Sequence, residues 1–123
     1  MKNKIIAHRG AWKEFNLPQN SIASLKKAIE LKCFGTEFDV HLTKDEIVVV
    51  NHDADFFGLN IETTNYNDLL VKQLENGEKL PTLNDFYSEG LNQTETKLIL
   101  EIKTSEIGGT DRTKKLIDVI VNE

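Results

Sequence analysis

Four short apolar runs in this chain each break off into residues that a buried strand does not tolerate. Ile5-Ile6-Ala7 runs into His8-Arg9-Gly10, and Phe34-Gly35-Thr36 into Glu37-Phe38-Asp39. Ile47-Val48-Val49-Val50 runs into Asn51-His52-Asp53, and Leu98-Ile99-Leu100 into Glu101-Ile102-Lys103. Parallel strands are apolar because helices cover both faces of their sheet, while their carboxyl ends open onto the loops that carry chemistry. A chain with this repeated pattern is constrained to a parallel-stranded α/β fold with one polar rim.

The connections agree with that constraint. Lys4 to Ala7 reads as the first strand, and 9–18 as a loop punctuated by Gly10 and Pro18. Asn20 or Ser21 can cap a helix whose apolar positions Ile22, Leu25, Ala28 and Ile29 recur at helical spacing. In the second strand, 35–42, Phe38, Val40 and Leu42 alternate with Glu37, Asp39 and His41, so the three polar side chains share one face. Residues 47–51 read as the third strand, and the unbroken β-branched run Ile47 to Val50 predicts a parallel strand buried on both faces. A helix is expected over 63–74, a turn at Asn76-Gly77, a helix over 83–90, a strand over 97–102 and a final helix over 110–121. The charges of 111–115 read as that helix's solvated face.

Bulk properties exclude several classes of function. At 123 residues the chain is one domain at most, enough to bury roughly two-thirds of its unfolded surface. A net charge of −5 argues against nonspecific nucleic-acid binding, which needs Lys and Arg against phosphates. No apolar stretch is long enough for a membrane span, and the first residues have no apolar leader core. The single cysteine, Cys33, suits a reducing compartment, so the expected location is cytoplasmic.

Side by side, the strand ends would bring Glu37, Asp39 and Glu101 together, flanked by His8 and His52 and by the cations Arg9 and Lys103. Crowded carboxylates repel, and an all-oxygen ligand set favours one hard divalent cation, Mg²⁺ or Ca²⁺. Two histidines across such an ion are candidates for general base and general acid near neutral pH. Arg9 and Lys103 supply positive charge for an anionic substrate. The set points to phosphoryl chemistry on a diester. His41 reads as a rim residue, Asn20 as a helix cap, and Cys33 and Trp12 as packing residues, with Trp12 near the site mouth.

The ordered series His8-Arg9-Gly10, Pro18-Gln19-Asn20-Ser21, Glu37-Phe38-Asp39-Val40, Thr43-Lys44-Asp45, His52-Asp53, Pro81-Thr82-Leu83 and Leu100-Glu101-Ile102-Lys103 resembles the glycerophosphodiester phosphodiesterases. That resemblance implies a TIM barrel, of which 1–123 would be a (β/α) half-barrel: a single domain ending after the fourth strand and helix. It implies cleavage of glycerophosphodiesters, small-molecule substrates, to sn-glycerol 3-phosphate and an alcohol, and so a place in lipid and glycerol metabolism. Glu37, Asp39 and Glu101 would be the metal ligands, His8 and His52 the acid/base pair, and Arg9 and Lys103 the phosphate-binding residues. The family's far wall, which shapes the leaving-group pocket, would lie beyond this chain. Two departures stand out. Gln19 replaces the family's Glu in Pro-Glu-Asn-Thr, and Glu46 replaces its Gly after Lys-Asp.

Half a barrel leaves the first and fourth strands with unpaired edges, which a homo-oligomer would cover if the chain is natural as given, and a full-length parent protein would cover if the chain is a fragment. Two other readings stay open. One is a phospholipase-D-like lyase that stops at the cyclic phosphate; the other is an inactive half-barrel that binds phosphorylated ligands or serves as an oligomerising module.

Overall fold

The computed structural model describes residues 5–102 and 109–121. Strand β1 (Ile6–His8) leads through a 3₁₀ turn at Lys13–Phe15 to helix α1 (Ile22–Glu30), and β2 (Gly35–Leu42) follows. Next come β3 (Val48–Val50) and a small hairpin of β4 (Asp55–Phe56) and β5 (Leu59–Asn60). A 3₁₀ turn at Ile61–Thr63 and the short α2 (Tyr66–Leu69) precede α3 (Leu83–Gly90), β6 (Lys97–Ile102) and α4 (Gly109–Val121). The chain forms an α/β partial barrel, with β1 and β6 both parallel to the central β2.

Helix α1 starts where its sequence can satisfy the free amides. Ser21, rather than Asn20, is the cap: its Oγ accepts from Ser24 N at 3.0 Å, while Ser24 Oγ accepts from Ser21 N at 3.1 Å. The Glu78 carboxylate accepts from the next amide, Ile22 N, at 3.0 Å, where the helix dipole favours negative charge. Gly10 is required by a close approach. Its φ is +82°, and a Cβ there would stand 2.3 Å from Ser24 Oγ.

The core follows the period-two pattern of β2. Phe38, Val40 and Leu42 pack with Leu25, Leu83, Phe86 and Leu116, and the Phe38 and Phe86 rings lie 4.8 Å apart. This leaves Glu37, Asp39 and His41 on the opposite face. The Cys33 thiol packs with Ala7 and Ala28, as expected for a packing residue, and burial pushes its pKa up.

Three expectations need correction. Residues 48–50 are buried on both faces, but β3 runs antiparallel to β2, with Val40 opposite Val50 and Leu42 opposite Val48. The reason is the connection: only 43–47 join the two strands, whereas a parallel crossover needs a dozen residues or more. The burial comes from two different sides. Val48 and Val50 enter the main core, while Val49 packs with Phe56, Ile61, Leu69 and Leu80. Glu46 in the tight turn sits at φ 64°, a conformation its replaced glycine would adopt more cheaply.

The single helix expected over 63–74 is instead the short α2, preceded by the unforeseen β4–β5 hairpin. Among the charges of 111–115, Arg112 is not a solvated residue. It donates from Nη2 to the Thr43 carbonyl and approaches buried Glu62 at 3.7 Å, tying α4 to the β2–β3 turn. No helix among the described residues is long and apolar enough to cross a membrane.

Candidate active site

Strand β2 collects the site because both its edges are used. Gly35, Thr36 and Glu37 pair with β1 on one edge and β6 on the other, while Val40 pairs with both Val50 and Ile102. β1 and β3 therefore share one edge of β2, end to end, and β6 takes the other. His8 comes opposite Glu37, and Asn51 N donates to the Asp39 carbonyl at 3.0 Å, so both histidine-bearing segments abut the carboxylate strand on the same side. On the other side, parallel register sets Glu101 directly beside Asp39.

Glu37, Asp39 and Glu101 each offer an oxygen, and these atoms lie within 4.8 Å of one another. Asp39 is fully buried, Glu37 largely so, and Glu101 exposed. Burial pushes the Glu37 carboxyl above its ordinary range; Asp39 and Glu101 add to that, and His8 and Arg9 oppose it. Glu37 Oε1 is buried and accepts no hydrogen bond among the described residues. A buried, unsatisfied carboxylate oxygen beside two further carboxylates fits a hard cation, which would supply the missing positive charge.

The loop after β1 braces this cluster. Arg9, at φ 60°, brings its Nε to 3.8 Å from Asp39 Oδ2 and donates from Nη1 to Gln19 Oε1 at 2.7 Å. Gln19 thus holds Arg9 as a neutral acceptor where the family pattern has a carboxylate. Asn20, at φ 54° and 2% exposed, turns its amide onto Asp39: Nδ2 donates to Oδ2 at 3.0 Å, and Asp39 N donates to Oδ1 at 3.4 Å.

His8 Nε2 lies 3.4 Å from Glu37 Oε2, with the ring mostly exposed. His52 Nδ1 is 2.9 Å from Asp53 Oδ1. His41 is not a rim residue. It is buried, and its Nε2 lies 3.2 Å from the carbonyl oxygen of His52. The expected role of Lys103 falls outside the described residues.

Sequence reasoning undervalued Asn20, Gln19 and His41. The polar periodicity of β2 did put His41 on the site face, and Asn20 sits inside the Pro18–Ser21 segment. Neither signal names the partner, which is a carboxylate 19 residues away for Asn20 and a backbone carbonyl for His41.

The fold and site together define a β/α-barrel rim with a carboxylate cluster suited to a cation and histidines at the strand ends. The family model described as the glycerophosphoryl diester phosphodiesterase family matches residues 8–122, and the chain belongs to that family. It is 34% identical to a glycerophosphodiester phosphodiesterase of Caldanaerobacter subterraneus, across 98% of this chain and 53% of that protein. The crystal structure of a glycerophosphodiester phosphodiesterase from Parabacteroides distasonis matches with a TM-score of 0.90 at 41% identity, over 98% of this chain and 50% of that one. An Oleispira antarctica phosphodiesterase, solved in complex with the product sn-glycerol-3-phosphate, matches with a TM-score of 0.77 at 30% identity, over 98% and 51%. The chain spans about half the length of these relatives.

Proposed function

We propose that this chain, as a single domain over 1–123, hydrolyses glycerophosphodiesters to sn-glycerol 3-phosphate and an alcohol. The observation that carries the reading is the convergence of Glu37, Asp39 and Glu101 within 4.8 Å beside His8. Mg²⁺ or Ca²⁺ held by those carboxylates would offset the negative charge of the phosphate.

The protein's own groups account for the proton transfers. One histidine of the pair His8 and His52 takes the proton of the glycerol 2-hydroxyl as its oxygen attacks phosphorus. The bond from phosphorus to the alcohol oxygen breaks, and the other histidine protonates that oxygen. Water then attacks the cyclic phosphate with the two roles reversed, and the 2-hydroxyl is restored. Asp53 against Nδ1 of His52 fixes the tautomer that makes Nε2 the working nitrogen. Arg9, held by Asp39 and Gln19, keeps further donors for phosphate oxygens, and Lys103 is proposed as the second cation.

We place the protein in the cytoplasm. Should 1–123 be the whole protein, a homo-oligomer would cover the edges of β1 and β6 that face away from β2.

The test is phosphorus NMR of glycerophosphocholine incubated with the protein and Mg²⁺ or Ca²⁺. Glycerol 3-phosphate should accumulate, and His8→Ala and His52→Ala should each abolish it. No product while the cation is bound would refute the hydrolase reading.

A further inference from the structure

Pro81-Thr82-Leu83 belongs to the ordered series of motifs, yet none of its side chains enters the carboxylate cluster or the acid/base pair. Its place in the fold gives it a different task. Residues 78–82 run as a strap between the first turn of α1 and β3. Val50 N donates to the Pro81 carbonyl at 2.9 Å, and Thr82 bridges antiparallel to Val49. Leu80 is fully buried and packs with Val49, and its carbonyl accepts from Tyr66 Oη at 2.8 Å. The strap is therefore fixed on the strand that leads to His52.

At its start the strap reaches across to α1. A helix opens with four amides that its own turns cannot satisfy. Ser21 and Ser24 satisfy two of them through their reciprocal bonds, Ser24 N to Ser21 Oγ and Ser21 N to Ser24 Oγ. The other two come to Glu78: Ile22 N donates to Oε1 at 3.0 Å and Ala23 N to Oε2 at 3.3 Å. Asn76 turns that carboxylate toward the helix, donating from Nδ2 to Oε2 and accepting from Glu78 N at 3.2 Å. The loops that hold Arg9 rest on this same turn. Ala11 N donates to the Ser24 carbonyl at 3.0 Å, and Ser21 Oγ donates to the Pro18 carbonyl at 2.7 Å, just before Gln19 meets Arg9 Nη1.

We propose that Glu78 is a positioning residue for phosphate recognition: its grip fixes the first turn of α1 against β3 and, through Gln19, aims the Arg9 guanidinium. The proposal rests on the reading of Arg9 as a phosphate-binding residue. Glu78 itself bonds the helix and stands outside the carboxylate cluster. Water or a local side chain could satisfy the two amides if helix stability were all that was needed. A carboxylate carried on a strap bonded to β3 also fixes where the Arg9 loop stands relative to the strand that leads to His52. Loss of the grip should therefore leave the carboxylates and histidines in place and free Arg9, which costs affinity rather than the rate of bond breaking.

Isothermal titration calorimetry of sn-glycerol 3-phosphate with Ca²⁺ present reads phosphate affinity without turnover, and steady-state cleavage of glycerophosphocholine reads KM and kcat. Glu78→Ala should weaken binding about three- to tenfold and raise KM alike, with kcat little changed. Glu78→Gln keeps one acceptor oxygen for the helix, so it should recover part of the affinity, and it carries the test if Glu78→Ala does not fold. In a Gln19→Ala background, Glu78→Ala should change affinity by less than about 1.5-fold while still lowering the melting temperature. A lower melting temperature with unchanged affinity in both Glu78 variants makes Glu78 a helix cap alone and overturns the proposal. So does a fall confined to kcat, or an additive loss of affinity in the Gln19→Ala background. A parent protein that does not bind sn-glycerol 3-phosphate overturns it as well, whatever its activity. The expected binding pattern without cleavage supports the proposal and counts against the hydrolase reading alone.

Discussion

Removing the Asn20 side chain should be costly for a residue in a loop, because its amide braces a buried carboxylate. Its amide donates to Asp39 Oδ2 at 3.0 Å, and Asp39 is fully buried. Asn20→Gly isolates that contact. Glycine accepts the 54° φ, and the backbone amide can still donate to the Arg9 carbonyl, a bond of 2.8 Å. A hydrogen bond to a charged group contributes about 1.5–3 kcal/mol, and the second one, at 3.4 Å, adds little. The extra flexibility of glycine in the unfolded chain and the relief of left-handed strain are both near 1 kcal/mol and offset each other. The expected loss is about 2–3 kcal/mol, or roughly 8–12 °C in melting temperature for a domain of this size. Thermal unfolding followed by circular dichroism, with EDTA present, measures it. Asn20→Ala should fall to within about 1 kcal/mol of Asn20→Gly, because alanine keeps the left-handed strain that asparagine already bears at φ 54° and avoids the added flexibility of glycine. An Asn20→Gly protein that melts within about 2 °C of the parent would refute this account of Asp39.

Glu37 sets the pH dependence of the metal-free protein. Its folded pKa is raised above 4.5, chiefly by burial, so the folded state keeps a proton that the unfolded state has lost. Stability should therefore fall as pH rises from about 4.5 through the raised value, and Glu37→Gln should flatten that slope and melt higher than the parent at pH 7 in EDTA. The same variant should lose most of the parent's stabilisation by Mg²⁺ or Ca²⁺; a lower melting temperature in EDTA would sink the argument that burial makes the charged Glu37 costly. His41→Leu removes a ring nitrogen 3.2 Å from the His52 carbonyl, so kcat on glycerophosphocholine should drop about tenfold with KM little changed. His41→Gln, which returns an amide donor, should recover part of the rate, and an unaltered kcat in His41→Leu would show that His52 needs no such support.

The pattern of β2 made half of the site legible. A period of two is enough to separate Phe38, Val40 and Leu42 from Glu37, Asp39 and His41, whatever the rest of the sheet does. The direction of β3 was not in that pattern, since burial of Val48–Val50 on both faces looks the same in either sense. The deciding datum was the short connection over 43–47, which is a count rather than a periodicity. The excursion from 55 to 80 was opaque for another reason: Phe56, Ile61, Leu69 and Leu80 meet around Val49 from separate short elements, so no repeat announces them. Asn20 was misread because a polar residue before a helix reads as a cap. Ser21 takes that bond, and the left-handed backbone at Asn20 swings its amide to Asp39 instead.

The candidate site is ordered within the half-barrel because it is built around one strand and its immediate neighbours. Glu37 and Asp39 lie on β2, His8 ends the strand on one edge, and the segment after β3 continues along that same edge. Burying Asp39 would be prohibitive without nearby donors and positive charge, and Arg9 and Asn20 supply both. Those two residues are tied to each other through Asn20 N and the Arg9 carbonyl, and the loop is seated on α1 by the contact of Gly10 with Ser24. The brace therefore forms from local chain and needs no far wall. Only Glu101 comes from a distant segment, and it depends on the register of β6 against β2. Cation affinity in this chain is thus a direct report on whether β6 is docked in register.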